Sequence, residues 1–180
     1  LPAEEPGVRS VDAKGAYAAP GFIDIHLHGG GGVEFMDATP ERIRAGCAAH
    51  ARHGTTTLLP TTLAASPELT LRMIRAVRQA QAATTECTIA GVHLEGPFLS
   101  PAQSGAQSPD ALSLPTPGLW DRLLDEWPGG VRIMGAAPEL PGAMALGEAL
   151  RARGVVASIA HSDADYETCR RALACGFTDI

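Results

Sequence analysis

The sequence predicts an α/β fold: a parallel sheet wound as a (β/α)8 barrel, of which residues 20–180 supply the first five to six βα units. Three observations carry this reading. Apolar runs of strand length alternate with helical segments, glycine and proline punctuate the junctions, and polar residues gather where the apolar runs end.

The elements follow in order. GFIDIHLHG (21–29), rich in Ile and Phe, reads as the first strand, and PERIRAGCAAHARHG (40–54) as a helix with a proline start and a closing glycine. TTTLLPTT (55–62) is the second strand. The helix over 66–82 follows, with Ser66 as N-cap and Pro67 at its first position. The alternation continues with a strand over 89–96, a helix over 117–127, a strand over 131–139 and a helix over 143–154. A strand over 155–163 and a helix over 164–176 come next, and FTDI (177–180) opens a sixth strand. Such alternation is met by a doubly wound sheet or by a closed barrel. His26, His28, Glu95, Glu139 and His161 fall at or near the C-terminal ends of four different strands, ends that converge on one mouth in a barrel. In an open sheet they would be spread along an edge, with a ligand at a switch point. HGGGG (28–32) also lacks the GxGxxG spacing of a dinucleotide fold. The barrel is preferred, and five units plus part of a sixth read as the N-terminal part of a larger one.

Composition narrows the partners. Of the 180 residues 45% are hydrophobic, enough for a sizeable core, and the formal charge of −6 gives no electrostatic attraction to nucleic acid or an anionic membrane. A small-molecule substrate is the expected partner. Cys47, Cys87, Cys169 and Cys175 show no CxxC spacing and read as reduced thiols. No stretch approaches the ~18 consecutive apolar residues of a membrane span, and LPAEEPGVRS lacks the pattern of a secretory signal. The expectation is a soluble cytoplasmic protein.

The chemistry lies at the strand ends. His26 and His28, at i and i+2 on a strand, point to one face and can grip one metal ion. A His-x-His pair is also met as a solvated or core pair; here it ends an apolar strand that also carries Asp24, as a site wall would. In GVHLEGPFLS (91–100) a carboxylate ends a buried strand and Gly-Pro stops it. Such a charge is costly unless a cation pairs it, so Glu95 reads as a metal ligand or, alternatively, as the partner of an arginine or a helix cap. Gly96 lets backbone approach a ligand. His161 in IAHSDAD follows another apolar run, with Ser162 or Asp163 as cap of the next helix. His93 shares the face of Glu95 and is read as lining the site behind it, whereas His50 and His53 sit on a helix and are read as structural or surface groups.

PGFIDIHLHGGGG, GTTTLLPTT, GVHLEGPFLS and IAHSDAD together resemble the N-acetylglucosamine-6-phosphate deacetylases, a sugar-phosphate branch of the amidohydrolase superfamily. VDAKGAYAAPGFIDIHLHG resembles the signature of the whole superfamily, and HLEGPF is far more specific to the deacetylases. The resemblance implies a metal-dependent barrel, with residues 1–19 closing a flanking β-sandwich domain. It implies that Glu95 and His161 are metal ligands and that His26 and His28 hold a second ion in members that have one. One or two divalent ions are therefore expected, zinc or iron first, with manganese or cobalt also suited to imidazole and carboxylate. A further histidine ligand and the catalytic aspartate are expected after Ile180. A homodimer is implied as well.

One departure bears on substrate. The family carries a Gly-x-His segment whose histidine contacts the sugar; here Gly105 and Ala106 match, and Gln107 stands at the histidine position. Gln107 can donate and accept hydrogen bonds but cannot become cationic. Gly96, Ala106 and Gln107 are thus the expected substrate-binding residues. The implied reaction is hydrolysis of the N-acetyl group of N-acetylglucosamine 6-phosphate to glucosamine 6-phosphate and acetate. A metal-bound water with a pKa near ~7 would attack, and the aspartate would act as base and then acid. Two other readings stand beside it: another amidohydrolase acting on a cyclic amide or nucleobase, against which HLEGPF argues, and a catalytically silent truncated barrel that binds metal or a partner.

Overall fold

The structure, a computed structural model, describes residue 7, residues 10–37 and residues 39–180. Of the segment expected to belong to a flanking domain, 1–19, residues 1–6, 8 and 9 lie outside the described residues, and its described part over 10–19 holds no strand.

Among the described residues nine strands and five α-helices follow, in chain order: β1 (Phe22–Leu27), β2 (Gly29–Gly30), β3 (Val33–Glu34), α1 (Pro40–Ala51), β4 (Thr55–Pro60), α2 (Pro67–Ala83), β5 (Thr88–Ile89), β6 (Val92–Glu95), α3 (Pro117–Asp125), β7 (Val131–Ala136), α4 (Ala143–Ala152), β8 (Val156–Ile159), α5 (Tyr166–Ala174) and β9 (Phe177–Asp179). Thr39, Ser66 and Asp165 cap α1, α2 and α5 by accepting from the backbone N–H three residues on, and Pro40, Pro67 and Pro117 open α1, α2 and α3. The cap of α5 is Asp165, not Ser162 or Asp163, because the Ser162 hydroxyl is engaged by Glu139 and Ala164 N and the Asp163 carboxylate by Gln103 Nε2 before the helix begins. The antiparallel hairpin of β2 and β3 has no counterpart in the sequence reading, since two-residue strands, one of them Gly-Gly, leave no hydrophobic pattern.

Every longer strand pairs in parallel. β1, β4 and β5 form one ladder and β6, β7, β8 and β9 another. A parallel bridge between Thr61 and His93, with Thr62 N donating to the His93 carbonyl at 2.9 Å, joins the two. The resulting order, β1-β4-β6-β7-β8-β9, advances in one direction with no reversal. A doubly wound sheet needs a reversal, so among the described residues its switch point is missing. The helices cover the outer face. Ile43, Ile74, Val77, Trp120, Leu123, Leu146 and Leu150 of the helices join Leu58, Ile89, Met134 and Phe177 of the strands in one continuous core. Each such side chain contributes about 1.5–3 kcal/mol of burial.

β5 and β6 are two halves of one strand, separated by Ala90–Gly91. β4 pairs Thr57 with Thr88 and Leu58 with Ile89, but Thr61 with His93, so one extra residue has entered the strand between the two pairings. That is a β-bulge, and it inverts the alternation of side chains. Ile89, Val92 and Leu94 all join the core beneath the helices. His93 and Glu95 are thereby turned to the opposite, inner face. Gly91 makes the bulge possible: its φ is +145°, and a Cβ there would strike the Gly130 carbonyl oxygen and the Arg132 side chain.

Gly91→Ala is therefore expected to cost about 1–3 kcal/mol and several degrees of unfolding midpoint. Gly118→Ala, in α3 with open space around the new methyl, should be neutral or stabilising by up to ~1 kcal/mol. Thermal unfolding followed by circular dichroism compares them, and equal midpoints would remove the bulge argument.

Candidate metal centre

Three imidazoles from two strand ends meet at the carboxylate of Glu95, which ends a third. His26 and His28 come from the end of β1, Glu95 ends β6, and His161 follows β8. Glu95 Oε1 lies 3.0 Å from His161 Nε2 and 3.4 Å from His26 Nε2, and Oε2 lies 3.2 Å from His28 Nε2. The two imidazoles of β1 approach each other at 3.3 Å between their Nε2 atoms. Glu95 itself is buried, and its backbone N–H donates to Thr62 Oγ1 at 3.0 Å.

The tautomers of two of these imidazoles follow from their second contacts. His28 Nδ1 faces the Thr61 carbonyl at 3.3 Å, and His161 Nδ1 faces the Gln103 carbonyl at 2.9 Å. A carbonyl can only accept, so each Nδ1 is the donor. A neutral ring then presents a bare lone pair at Nε2, and both lone pairs point at a carboxylate. Lone pairs and a carboxylate at about 3 Å repel unless a cation lies among them, either a proton on the ring or a metal ion. His26, His28 and Glu95 offer ligand atoms all within 4.8 Å of one another. The ligands of a tetrahedral zinc ion, with bonds of about 2.0–2.1 Å, stand about 3.3 Å apart. The 3.3 Å between the two Nε2 atoms fits that edge length, and each ring has one oxygen of Glu95 at a similar distance, Oε1 at 3.4 Å from His26 and Oε2 at 3.2 Å from His28.

Electrostatics follow the geometry. Burial pushes the Glu95 carboxyl up, but the hydrogen bonds from His28 and His161 and the charges of His26 and His28 outweigh it and hold the group at about 2. His28 is raised, its hydrogen bond to Glu95 outweighing burial. His93 is lowered, chiefly by burial. His93 Nδ1 donates to the Ile25 carbonyl at 2.8 Å and its ring stands edge-on to His26, so it braces β1 against β6 behind the cluster.

The residues singled out in the sequence separate here. His26, His28, Glu95 and His161 come together. Glu139 stays outside the cluster, accepting from Ser162 Oγ at 2.8 Å and Asp163 N at 2.7 Å, and so shapes the loop on which His161 sits with a left-handed φ of +47°. Gly96 turns the chain at φ +85° with Leu99 and Ala64 crowding the place a Cβ would take, and Ala106 is exposed. Gln107 is buried and bonded to Glu95. His50 Nε2 donates to the Gly29 carbonyl at 2.8 Å and so ties α1 to the glycine run after His28, a structural role as its helical position implied. Thr61, Thr62 and Gln103 were not singled out; the pair of threonines ending an apolar strand was the only available signal.

Residues 17–179 match the Amidohydrolase family. The chain belongs to the amidohydrolase family. Within it, the chain is similar to a mutant of N-acetyl-D-glucosamine-6-phosphate deacetylase from Mycobacterium smegmatis, solved in complex with N-acetyl-D-glucosamine-6-phosphate: 39% identity, a TM-score of 0.81, and coverage of 94% of this chain and 46% of that one. The human N-acetylglucosamine-6-phosphate deacetylase is 36% identical over 175 residues, 94% of this chain and 42% of its own. An N-acetylgalactosamine-6-phosphate deacetylase from a Shewanella strain is 36% identical over 167 residues, 89% of this chain and 41% of its own. The chain thus spans less than half the length of these relatives.

The carboxyl of Glu95 is depressed by folding, so in metal-free protein its contribution to stability is complete above the ~4.3 of an unfolded glutamate and is lost as pH falls through about 2. His28 acts oppositely: its contribution is complete below the ~6.5 of an unfolded histidine and is lost as pH rises through its elevated folded value. Chemical unfolding of the metal-free protein between about pH 5 and pH 2 should show falling stability, and Glu95→Gln should flatten that limb. An identical slope in the variant would show that the carboxylate is not held as described.

Proposed function

We propose that this chain is the N-terminal part of a metal-dependent deacetylase that hydrolyses the N-acetyl group of N-acetylglucosamine 6-phosphate, giving glucosamine 6-phosphate and acetate. The convergence of three imidazoles on the buried Glu95 carboxylate carries this reading, because it gathers metal-ligating donors at one charge, those of His26, His28 and Glu95 within 4.8 Å of one another. The unidirectional strand order and the exposed Phe22 and Ile23 on β1 support a (β/α)8 barrel that closes with further strands. The N-terminal residues to about 19 are assigned to a flanking β-sandwich domain.

In this reading Glu95, His161, His26 and His28 hold one or two divalent ions, zinc or iron first. A bound ion would supply polarisation of the acetyl carbonyl and a water made acidic enough to attack near neutral pH. The chain's own residues orient that centre. Thr61, Gln103 and Ile25 carbonyls fix the rings of His28, His161 and His93, and Thr62 fixes the Glu95 backbone. The Glu95 carboxylate, held at about 2, stays ionised across the physiological range. The proton-transferring aspartate belongs to a later strand. The four thiols, all free, accord with a cytoplasmic location. The similarity to an N-acetylgalactosamine-6-phosphate deacetylase favours the C4 epimer as the second substrate to test.

Acetate release from N-acetylglucosamine 6-phosphate by the full-length protein, with metal content measured on the same sample, tests the proposal. Activity should vanish with a chelator and return with added zinc, and Glu95→Gln should lower kcat/KM by at least about a hundredfold. Turnover that is indifferent to chelation, or metal content unaffected by Glu95→Gln, would overturn the assignment. Preference for the galacto epimer would keep the chemistry and change the substrate.

A further inference from the structure

Gln107 was expected at the sugar. Its carboxamide is instead buried and engaged at both ends: Nε2 donates to Glu95 Oε2 at 2.7 Å and Oε1 accepts from Ala64 N at 2.7 Å. The orientation of the amide is unambiguous, because a backbone N–H can only donate and an ionised carboxylate can only accept. Gln107 N also donates to the Ser104 carbonyl at 2.9 Å, closing the turn that delivers the side chain. Three segments are thereby joined through one residue: the loop after β4 at Ala64, the end of β6 at Glu95, and the excursion between β6 and α3 that carries Gln107.

We propose that Gln107 is a positioning residue for the Glu95 carboxylate, setting which oxygen faces the cation, and not a contact to the sugar. The inference rests on the reading of Glu95 as a metal ligand. Glu95 can rotate about its side-chain torsions, and the Thr62 contact fixes only its backbone. The bond from Gln107 fixes the carboxylate itself. It occupies one lone pair of Oε2 and leaves Oε1 to His161 and His26. A carboxamide does this without charge. A histidine there could take up a proton and place a second cation against the carboxylate, in competition with the metal; a glutamine donates at every pH. Hydrogen bonds to a ligating carboxylate typically change metal affinity by about 10–100-fold when removed. Only one Nε2–H of Gln107 remains uncommitted, which leaves little with which to read a sugar hydroxyl.

The test uses the full-length protein and zinc alone as probe, with affinity measured by competition against a chromophoric chelator and with kcat and KM measured separately. Gln107→Met keeps the length and removes both bonds. Gln107→Glu keeps an acceptor for Ala64 N and replaces the donor with a like charge, so it serves if the methionine variant fails to fold. Both should lose about 10–100-fold in zinc affinity, with kcat reduced at subsaturating zinc and KM for N-acetylglucosamine 6-phosphate changed less than about twofold once zinc saturates. Unchanged zinc affinity with a raised KM would make Gln107 a sugar contact after all, and unchanged values throughout would remove any role; either overturns the inference alone. Glu95→Gln, measured alongside, separates the two layers: wild-type zinc affinity in that variant would bring down the metal reading and the inference together.

Discussion

The structure turns on one electrostatic constraint: an ionised carboxylate taken out of water at the closed end of a strand. Removing that charge from solvent costs several kcal/mol unless it is compensated. At Glu95 the compensation comes from imidazole nitrogens and a glutamine amide, drawn from segments far apart in the chain. The rings of His28 and His161 are in turn fixed by backbone carbonyls, and the glutamine by a backbone N–H. The arrangement is ordered outward from the carboxylate, and the neighbouring strands must supply the partners at the right depth.

The parallel sheet makes that supply possible. In a sheet whose strands all run the same way, the C-terminal ends lie on one side, and a single-direction strand order keeps the first, third and fifth ends within reach of one centre when the sheet curls. Direction alone does not aim a side chain. The extra residue at Ala90–Gly91 does, because without it the alternation that sends Ile89 to the helix layer would send Glu95 there too. A conformationally permissive glycine distant from the chemistry thus governs which face of the strand the carboxylate occupies.

Much of this was legible in the sequence. The strand–helix alternation, the caps Ser66 and Pro67, and the convergence of His26, His28, Glu95 and His161 follow from periodicity and from polar residues at the ends of apolar runs. Three features were not legible. The bulge was hidden because Ala90 and Gly91 are small and fit an unbroken strand equally well. The β2–β3 hairpin was hidden in a glycine run that carries no pattern. The engagement of Gln107 depends on Ala64, 43 positions earlier, and no local spacing encodes a contact between two loops. Side-chain chemistry at strand ends can be read locally, whereas the orientation of those side chains is a property of register and of loop-to-loop contacts.

The contact between Glu95 and His161 spans 66 residues of chain. In the language of polymer closure, holding such a loop shut removes about 4 kcal/mol of freedom from the unfolded ensemble if the tie persists there, and costs a comparable amount if it must form anew during folding. The mouth of the sheet is stitched by side chains across several such loops, while the opposite end relies on ladder bonds and helix packing. Amide hydrogens at the two ends should then exchange with solvent through different openings. The stitched end yields only when the whole curl opens, and the other end can fray strand by strand.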